Sequence, residues 1–303
     1  MSGQLFKFGL NKQKEPDEKP KVADVSNLEM TASEFAEFRD EIYKLSGIYF
    51  TESKKYLLEG RIAKRIIANN LRTFSDYMKF IKSPGKKEEL DRLYEAITIN
   101  ETYFYRAPQQ FEVLEQVIVP ELLEKRKNQP NQTFRIWSAA SSTGEEPYTL
   151  ALLILEKLKP KYPYVNFQVV GSDINQSVLE QARQGIYKEY AIRNIPPNIL
   201  NKYFKKNGNL YALNPEVKRL VRFANINLYD SNQVKMMSQC DVIFCANVLI
   251  YFDLPSKQQV VSYLYNALNK GGYLFIGYSE SLHGVSKSFK LVHLPKAMAY
   301  QKE

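Results

Sequence analysis

The stretch that most limits what this chain can become runs from Phe134 to Leu155. It opens as an apolar strand, Phe134 to Ala139, and passes through Ala140-Ser141-Ser142-Thr143-Gly144. It then enters a helix at Glu145-Glu146-Pro147-Tyr148. A buried strand, a turn of small residues and a helix form the first unit of a doubly wound α/β sheet. Ligands of such sheets bind outside the carboxyl ends of the strands, and small side chains in the turn let a ligand approach the backbone. A phosphate-binding turn offers bare amides or a cation at the helix start. Here that position holds two carboxylates, Glu145 and Glu146. The turn suits a ligand with positive charge or with free hydroxyls and amines.

The segments that follow continue the sheet. Asn166 to Ser172 reads as a second buried strand ending in Asp173. An acid there accepts hydrogen bonds from ribose hydroxyls, or caps the helix predicted over 175–184. The α/β rhythm then stops. Residues 186–220 hold Pro196-Pro197 and the hairpin signal Asn207-Gly208-Asn209, and read as a small inserted antiparallel β-subdomain. Val221 to Asn225 resumes the sheet and ends near Asn227-Leu228. Asp241 to Cys245 is the fourth strand and opens into Ala246-Asn247. A helix over 256–268, a strand over 273–278 and a closing hairpin of 289–293 with 297–302 complete the domain. An antiparallel last strand is a habit of methyltransferase sheets rather than of dehydrogenase ones.

Four pieces thus end at one edge: Ala139 to Glu146, Asp173, Asn227-Leu228 and Ala246-Asn247. The single Gly144 and the acids after it argue against a pyrophosphate. A phosphate-free nucleoside with a cationic tail fits better, and S-adenosylmethionine is such a ligand.

Ahead of the sheet, 303 residues leave room for a smaller domain. Residues 1–27 are polar and charged and read as a flexible tail. Residues 28–98 read as a helical domain: one helix capped by Thr31 or Ser33 and ended by Gly47, a second over 52–70, two more over 75–81 and 86–97. Charge is concentrated there. Between Lys54 and Lys87, ten cations against two anions leave +8 of the chain's net +9. Arg61, Lys64, Arg65 and Arg72 fall at helical steps that predict one basic edge, suited to an acidic partner. Residues 99–132 hold Asn100-Glu101-Thr102-Tyr103-Phe104-Tyr105-Arg106, a linker or a lid over the sheet mouth, and then an amphipathic helix from Gln109 to about Lys127.

Composition removes other classes. The longest aliphatic run, Leu150 to Leu155, cannot span a bilayer, and the start has no apolar core of signal-peptide length. Two cysteines and two histidines make neither a disulfide framework nor a zinc site, so no metal is expected. Cys240 and Cys245 are expected as ordinary thiols on opposite faces of one strand, in a reducing, cytoplasmic compartment.

Five segments together carry a family resemblance. They are Asn-Glu-Thr-Tyr-Phe-Tyr-Arg over 100–106, Trp-Ser-Ala-Ala-Ser-Ser-Thr-Gly-Glu-Glu-Pro-Tyr over 137–148, Gly-Ser-Asp-Ile-Asn over 171–175, Phe-Cys-Ala-Asn-Val-Leu-Ile-Tyr-Phe over 244–252 and Gly-Tyr-Ser-Glu-Ser-Leu over 277–282. In this order they resemble the bacterial chemoreceptor methyltransferases of the CheR family, over about residues 31–302. The resemblance implies a Rossmann-like methyltransferase sheet behind an all-α domain. It also implies methyl transfer from S-adenosylmethionine to glutamate carboxylates on acidic chemoreceptor helices, by a monomer that neither enters the membrane nor binds nucleic acid.

By position, Asn100, Thr102, Arg106, Glu146, Asp173, Asn227, Leu228, Ala246 and Asn247 would bind the cofactor. Arg106 and Tyr251 would lie near the transferred methyl, and the basic residues Arg61, Lys64, Arg65 and Arg72 would meet the receptor. The family usually has Arg at the place of Ala246. The short turn Lys206-Asn207-Gly208-Asn209 marks the type that does not dock on a receptor's C-terminal pentapeptide. Two alternatives stand beside this reading: a nucleic-acid methyltransferase, and a non-catalytic cofactor-binding regulator weakened at Ala246.

Overall fold

The computed structural model describes residues 28–128 and 132–303; the tail expected over 1–27 lies outside them. Helix α1 (Ala32–Ser46) is capped by Thr31, not Ser33. The Thr31 hydroxyl accepts from Glu34 N at 3.2 Å, and the Glu34 carboxylate accepts from Thr31 N at 2.9 Å, so each satisfies a backbone donor. Helices α2 (Lys55–Ala68), α3 (Phe74–Lys82) and α4 (Lys87–Ile97) follow. Phe38, Ile42, Leu58, Ile62, Tyr77 and Leu93 close a core of their own.

The basic edge expected on α2 does not form. The face carrying Arg61 and Arg65 packs on α4, where Arg65 is fully engaged and Arg61 spends one donor. Arg65 forks onto the buried Glu89 carboxylate at 2.9 and 2.7 Å, and Arg61 donates to Ile97 O at 2.6 Å. Lys64 and Arg72 stay exposed. Lys82 pairs with Glu37 and Glu41 of α1 at 3.0 and 3.6 Å, so part of the local charge excess is answered from outside the segment.

A helix over 108–124 (α5), with a π-turn at Leu114–Ile118, leads to β1 (Thr133–Ala139). Helix α6 covers 145–161 with a π-turn at Ile154–Leu158, then come β2 (Asn166–Asp173) and α7 (Gln176–Gln184). Strands β3 (Ile186–Lys188), β4 (Phe204–Asn207) and β5 (Leu210–Leu213) form a separate antiparallel sheet in the order β3-β5-β4, the expected insertion. Strands β6 (Val221–Asn225) and β7 (Cys240–Cys245), helix α8 (Leu254–Ala267), and strands β8 (Leu268–Ile276), β9 (Phe289–His293) and β10 (Met298–Lys302) complete the chain.

The large sheet runs β6-β2-β1-β7-β8-β10-β9, and β10 lies antiparallel to β8. Alternate residues feed two cores: Phe134, Ile136, Val242, Phe244, Tyr273 and Phe275 on one face, Trp137, Ala139, Ile243, Cys245 and Leu274 on the other. Burial on both faces is what helices on both sides of a parallel sheet require. Cys240 and Cys245 are free and share one core, contrary to the opposite faces that strict alternation predicts. A register irregularity between Cys240 and Val242 breaks the alternation.

The two domains are joined along one seam. Ile48 and Phe252 form an antiparallel bridge, Tyr49 N donates to Tyr251 O at 3.0 Å, and Tyr43 Oη donates to Asp253 at 3.0 Å. Asn227 Nδ2 reaches Leu45 O at 2.7 Å. Gly47 turns the chain here at φ 72°, and a Cβ on it would stand 2.6 Å from the Tyr229 ring.

Candidate active site

Strand order reverses between β1 and β7, and a ligand crevice is expected outside the carboxyl ends there. A cavity of about 610 Å³ opens at that place, within the roughly 300–1,000 Å³ usual for small-molecule sites. The sheet supplies one wall. Tyr49, Leu57 and Arg61 of the helical domain supply the other, and the segment around Asn100 to Arg106 lies across the mouth.

The turn after β1 is wound tightly. Ala140 and Ser142 hold positive φ of 58° and 50°, and Gly144 follows at 91°. Such conformations cost about 1–3 kcal/mol for a non-glycine residue and persist only where the surroundings impose them. Here Ser141 N donates to Ser172 O at 2.7 Å and Ser142 N to Asp173 Oδ2 at 2.9 Å. A Cβ on Gly144 would come within 2.9 Å of Ala182 Cβ, so glycine also allows α6 to sit against α7. Asp173 takes a second backbone bond, from Asn175 N at 2.9 Å. Burial pushes its carboxyl up against these bonds. A carboxylate has about four lone-pair sites, so two remain for a ligand.

The two acids at the start of α6 have different surroundings. Glu145 is buried, with Thr143 Oγ1 at 2.9 and 2.7 Å from its two oxygens. Glu146 lines the cavity and accepts from Ser138 Oγ at 2.7 Å. Burial raises Glu146 to about 7, and the Ser138 hydroxyl and the nearby Arg106 cation offset only part of that.

On the lid, Phe104 is the anchor. Its N donates to Ala191 O at 2.9 Å, and its buried ring stands edge-on to Tyr187 and Phe204 at 4.9 and 5.4 Å. Asn100 O accepts from Ser142 Oγ at 3.0 Å, which ties the lid to the turn after β1. Arg106 is exposed at the mouth and donates to Glu101 O at 2.9 Å. Opposite lies Tyr251, whose hydroxyl burial raises while the cations of Arg106 and Arg61 pull it down.

Asn100, Thr102, Arg106, Glu146, Asp173, Asn227, Leu228, Ala246, Asn247 and Tyr251 all line this one cavity. Of the four basic residues assigned to partner contact, Arg61 lines it too, whereas Lys64, Arg65 and Arg72 do not. Sequence reasoning missed Glu280. Its carboxylate accepts from Asn247 N at 2.7 Å, Gly277 N at 2.6 Å and Ile250 N at 3.3 Å, and so holds the loop in which Asn247 sits at φ 63°. Its spacing alone does not separate it from a surface acid; the signal was the segment over 277–282 that carries part of the family resemblance.

The lining fits S-adenosylmethionine. Two carboxylates, Glu146 and Asp173, stand on the sheet side, where a sulfonium, an amino group and ribose hydroxyls would meet them. The turn after β1 brings no cation that a phosphate would need. Comparison with known proteins agrees. The description "CheR methyltransferase, SAM binding domain" matches residues 100–298, and "CheR methyltransferase, all-alpha domain" matches 33–98.

The chain belongs to the CheR methyltransferase family.

It is 36% identical to chemotaxis protein methyltransferase 2 of Vibrio cholerae, over 92% of this chain and 96% of that one. It is 34% identical to the chemotaxis protein methyltransferase of Borreliella burgdorferi, over 85% and 91%. Against chemotaxis protein methyltransferase 1 of Pseudomonas aeruginosa the identity is 33%, over 89% and 97%. This CheR-family protein is therefore an S-adenosylmethionine-dependent methyltransferase of the chemotaxis type. Among the described residues no helix is long and apolar enough to cross a membrane, and no cluster of metal-ligating side chains occurs.

Proposed function

We propose that this protein methylates glutamate side-chain carboxylates on acidic helices of bacterial chemoreceptors. The observation that carries the reading is how charge is divided within one cavity. Acids (Glu146, Asp173) line the sheet wall; the cations lie across from it, Arg106 on the lid beside Glu101, and Lys54 and Arg61 on the wall of the helical domain, with Tyr251 between them and the mouth. The inner half suits a cationic cofactor and the outer half an incoming carboxylate.

Asn100, Thr102, Glu146, Asp173, Asn227, Leu228, Asn247 and the backbone at Ala246 would hold the cofactor, which supplies an electrophilic methyl group on a sulfonium. A glutamate is already ionised at neutral pH, so the chain needs no strong base. Its residues have to hold the carboxylate in line and keep water out. Arg106 and Tyr251 would orient the carboxylate from the mouth. The Arg106 guanidinium is exposed and its one protein hydrogen bond goes to the Glu101 carbonyl, which leaves its other donors for an arriving anion. A permanently tight pair would hold the ground state as firmly as the transition state and gain no rate.

Receptor contact falls to Arg61 inside the cavity and to exposed Lys64 and Arg72 outside it. Arg65 is committed to Glu89. The two-residue turn Gly208-Asn209 between β4 and β5 supports a protein that works without a pentapeptide tether. Measurable binding of such a peptide would overturn that part.

The test is methyl transfer from labelled cofactor to receptor-containing membranes, read as base-labile methanol. An ester releases it and an N-methyl base does not, so stable label on nucleic acid would favour the rival reading. Arg106→Ala is expected to lose about 10²-fold in rate while the fold survives, on the scale of a lost orienting contact. Full activity of that variant would sink the assignment.

A further inference from the structure

We propose that Arg193 is a positioning residue for methyl transfer, acting on Arg106 through a clamp on the outside of the lid; the proposal rests on the role given above to Arg106. Phe104 fixes the middle of the lid from beneath, but Glu101 and Arg106 on either side are exposed. A second device fixes them. The Arg193 guanidinium carbon lies 3.5 Å from the Tyr103 ring centre and 3.7 Å from that of Tyr190. Its Nη1 donates to Tyr190 O at 2.5 Å, which sets the guanidinium over its own helical turn. Tyr190 Oη donates to the Glu101 carboxylate at 2.7 Å, and Glu101 O accepts from Arg106 Nη1 at 2.9 Å. The Arg106 guanidinium itself stands 5.7 Å from the other contact of the clamp, the Tyr103 ring.

Two routes therefore run from Arg193 to Arg106, one through Tyr103 and one through Tyr190 and Glu101. Both tie the lid to the short helix Glu189–Ile192, next to β3 of the inserted subdomain. Stacking on two rings needs the flat, delocalised face of arginine. The compact ammonium of lysine keeps the charge but not the double contact. Arg193 and Tyr190 are exposed, and the core below them is held by Phe104, Tyr187 and Phe204. Removal of the clamp thus leaves the fold in place and loosens only the geometry of the lid.

The experiment is a double-mutant cycle on methyl transfer to a soluble cytoplasmic fragment of a chemoreceptor, at saturating labelled cofactor. Arg193→Ala is expected to lower kcat about tenfold, with Arg193→Lys between it and the parent. In an Arg106→Ala background, Arg193→Ala is expected to cost nothing further, because its effect passes through Arg106. Tyr190→Phe, which removes one hydroxyl and no packing, should lose a few-fold in kcat and lose nothing in that background. Unchanged kcat in Arg193→Ala, or losses that multiply in the double variant, overturns the clamp. Impaired Arg106→Ala with normal Arg193→Ala sinks this inference alone, whereas a fully active Arg106→Ala sinks the proposed function with it.

Discussion

Glu146→Gln separates what this cavity-lining acid costs the fold from what it is proposed to give to binding. Burial carries this carboxyl from its ordinary 4.5 to about 7 in the free protein. Ionising it in place costs about 3 kcal/mol, and water entering the open side of the cavity brings the expectation to about 1–3 kcal/mol. The sign follows from linkage. The folded state holds its proton up to about pH 7, while the unfolded chain releases it near 4.5. The penalty is therefore absent below 4.5, accumulates as pH rises between the two values, and is complete above 7. Glutamine keeps an acceptor for Ser138 Oγ and carries no charge.

Cofactor-free Glu146→Gln should thus melt several degrees above the parent at pH 8 and close to it at pH 5. Cofactor binding should move the other way. A lost charge-assisted contact is worth about 1.5–3 kcal/mol, so affinity at pH 8 should fall roughly ten- to a hundredfold by calorimetric titration. Parent affinity should itself weaken as pH drops below 7. Equal melting at both pH values together with unchanged affinity would refute the reasoning.

Two more predictions come from carboxylates outside the cofactor wall. Glu280→Ala strips the acceptor from Asn247 N, Gly277 N and Ile250 N, and cavity water can replace only part of it. About 2 kcal/mol of local order should go, read as a cofactor Kd some tenfold weaker or more, with the far end of the sheet still protected from hydrogen exchange. In the helical domain, burial would raise the Glu89 carboxyl, but hydrogen bonds from Arg65, Tyr77 and Asn69 outweigh it and leave it depressed. A depressed acid stabilises above its unfolded value and loses that contribution as pH falls through the folded one. Arg65→Ala should destabilise the domain by about 3 kcal/mol at pH 7 in urea unfolding, with the gap closing in acid.

The large sheet was readable because each strand is short, apolar and bounded by turn residues, and because the hairpin of β4 and β5 announces itself at Asn207-Gly208-Asn209. The cavity edge was readable for the same reason: Asp173 closes β2 and Asn247 comes two residues after β7, so finding the strand finds the residue. What escaped depends on partners far away in sequence. Arg61, Lys64, Arg65 and Arg72 fall at helical steps, but no periodicity says that α4 will bring Glu89 to Arg65 or end with a free Ile97 carbonyl at Arg61. Glu280 became an anchor only when β8 and β7 placed it beside the Asn247 amide, 33 residues away. The faces of Cys240 and Cys245 depended on one irregular register step, which alternation cannot foresee.

The division of charge in the cavity also bears on how the products leave. Before transfer, the proposed reaction would place a positive centre against Glu146 and Asp173, and a negative one against Arg106 and Arg61. Each wall then meets its complement, which favours a loaded site. Transfer removes one charge from each side, because a carboxylate becomes a neutral ester and a sulfonium becomes a neutral thioether. Both walls lose part of their attraction in the same event; the spent cofactor keeps its ribose hydroxyls and amino group, so the sheet wall loses only the share owed to the sulfonium. This works only if the two walls keep a fixed spacing, and Arg61 belongs to the helical domain whereas Arg106, Glu146 and Asp173 belong to the other. The seam at Ile48 and Phe252 sets that spacing, together with the close seat of Gly47 on Tyr229. A side chain at Gly47 would push the walls apart without touching a charged group, so a loss of rate there would measure the geometry of the seam and not the chemistry of the site.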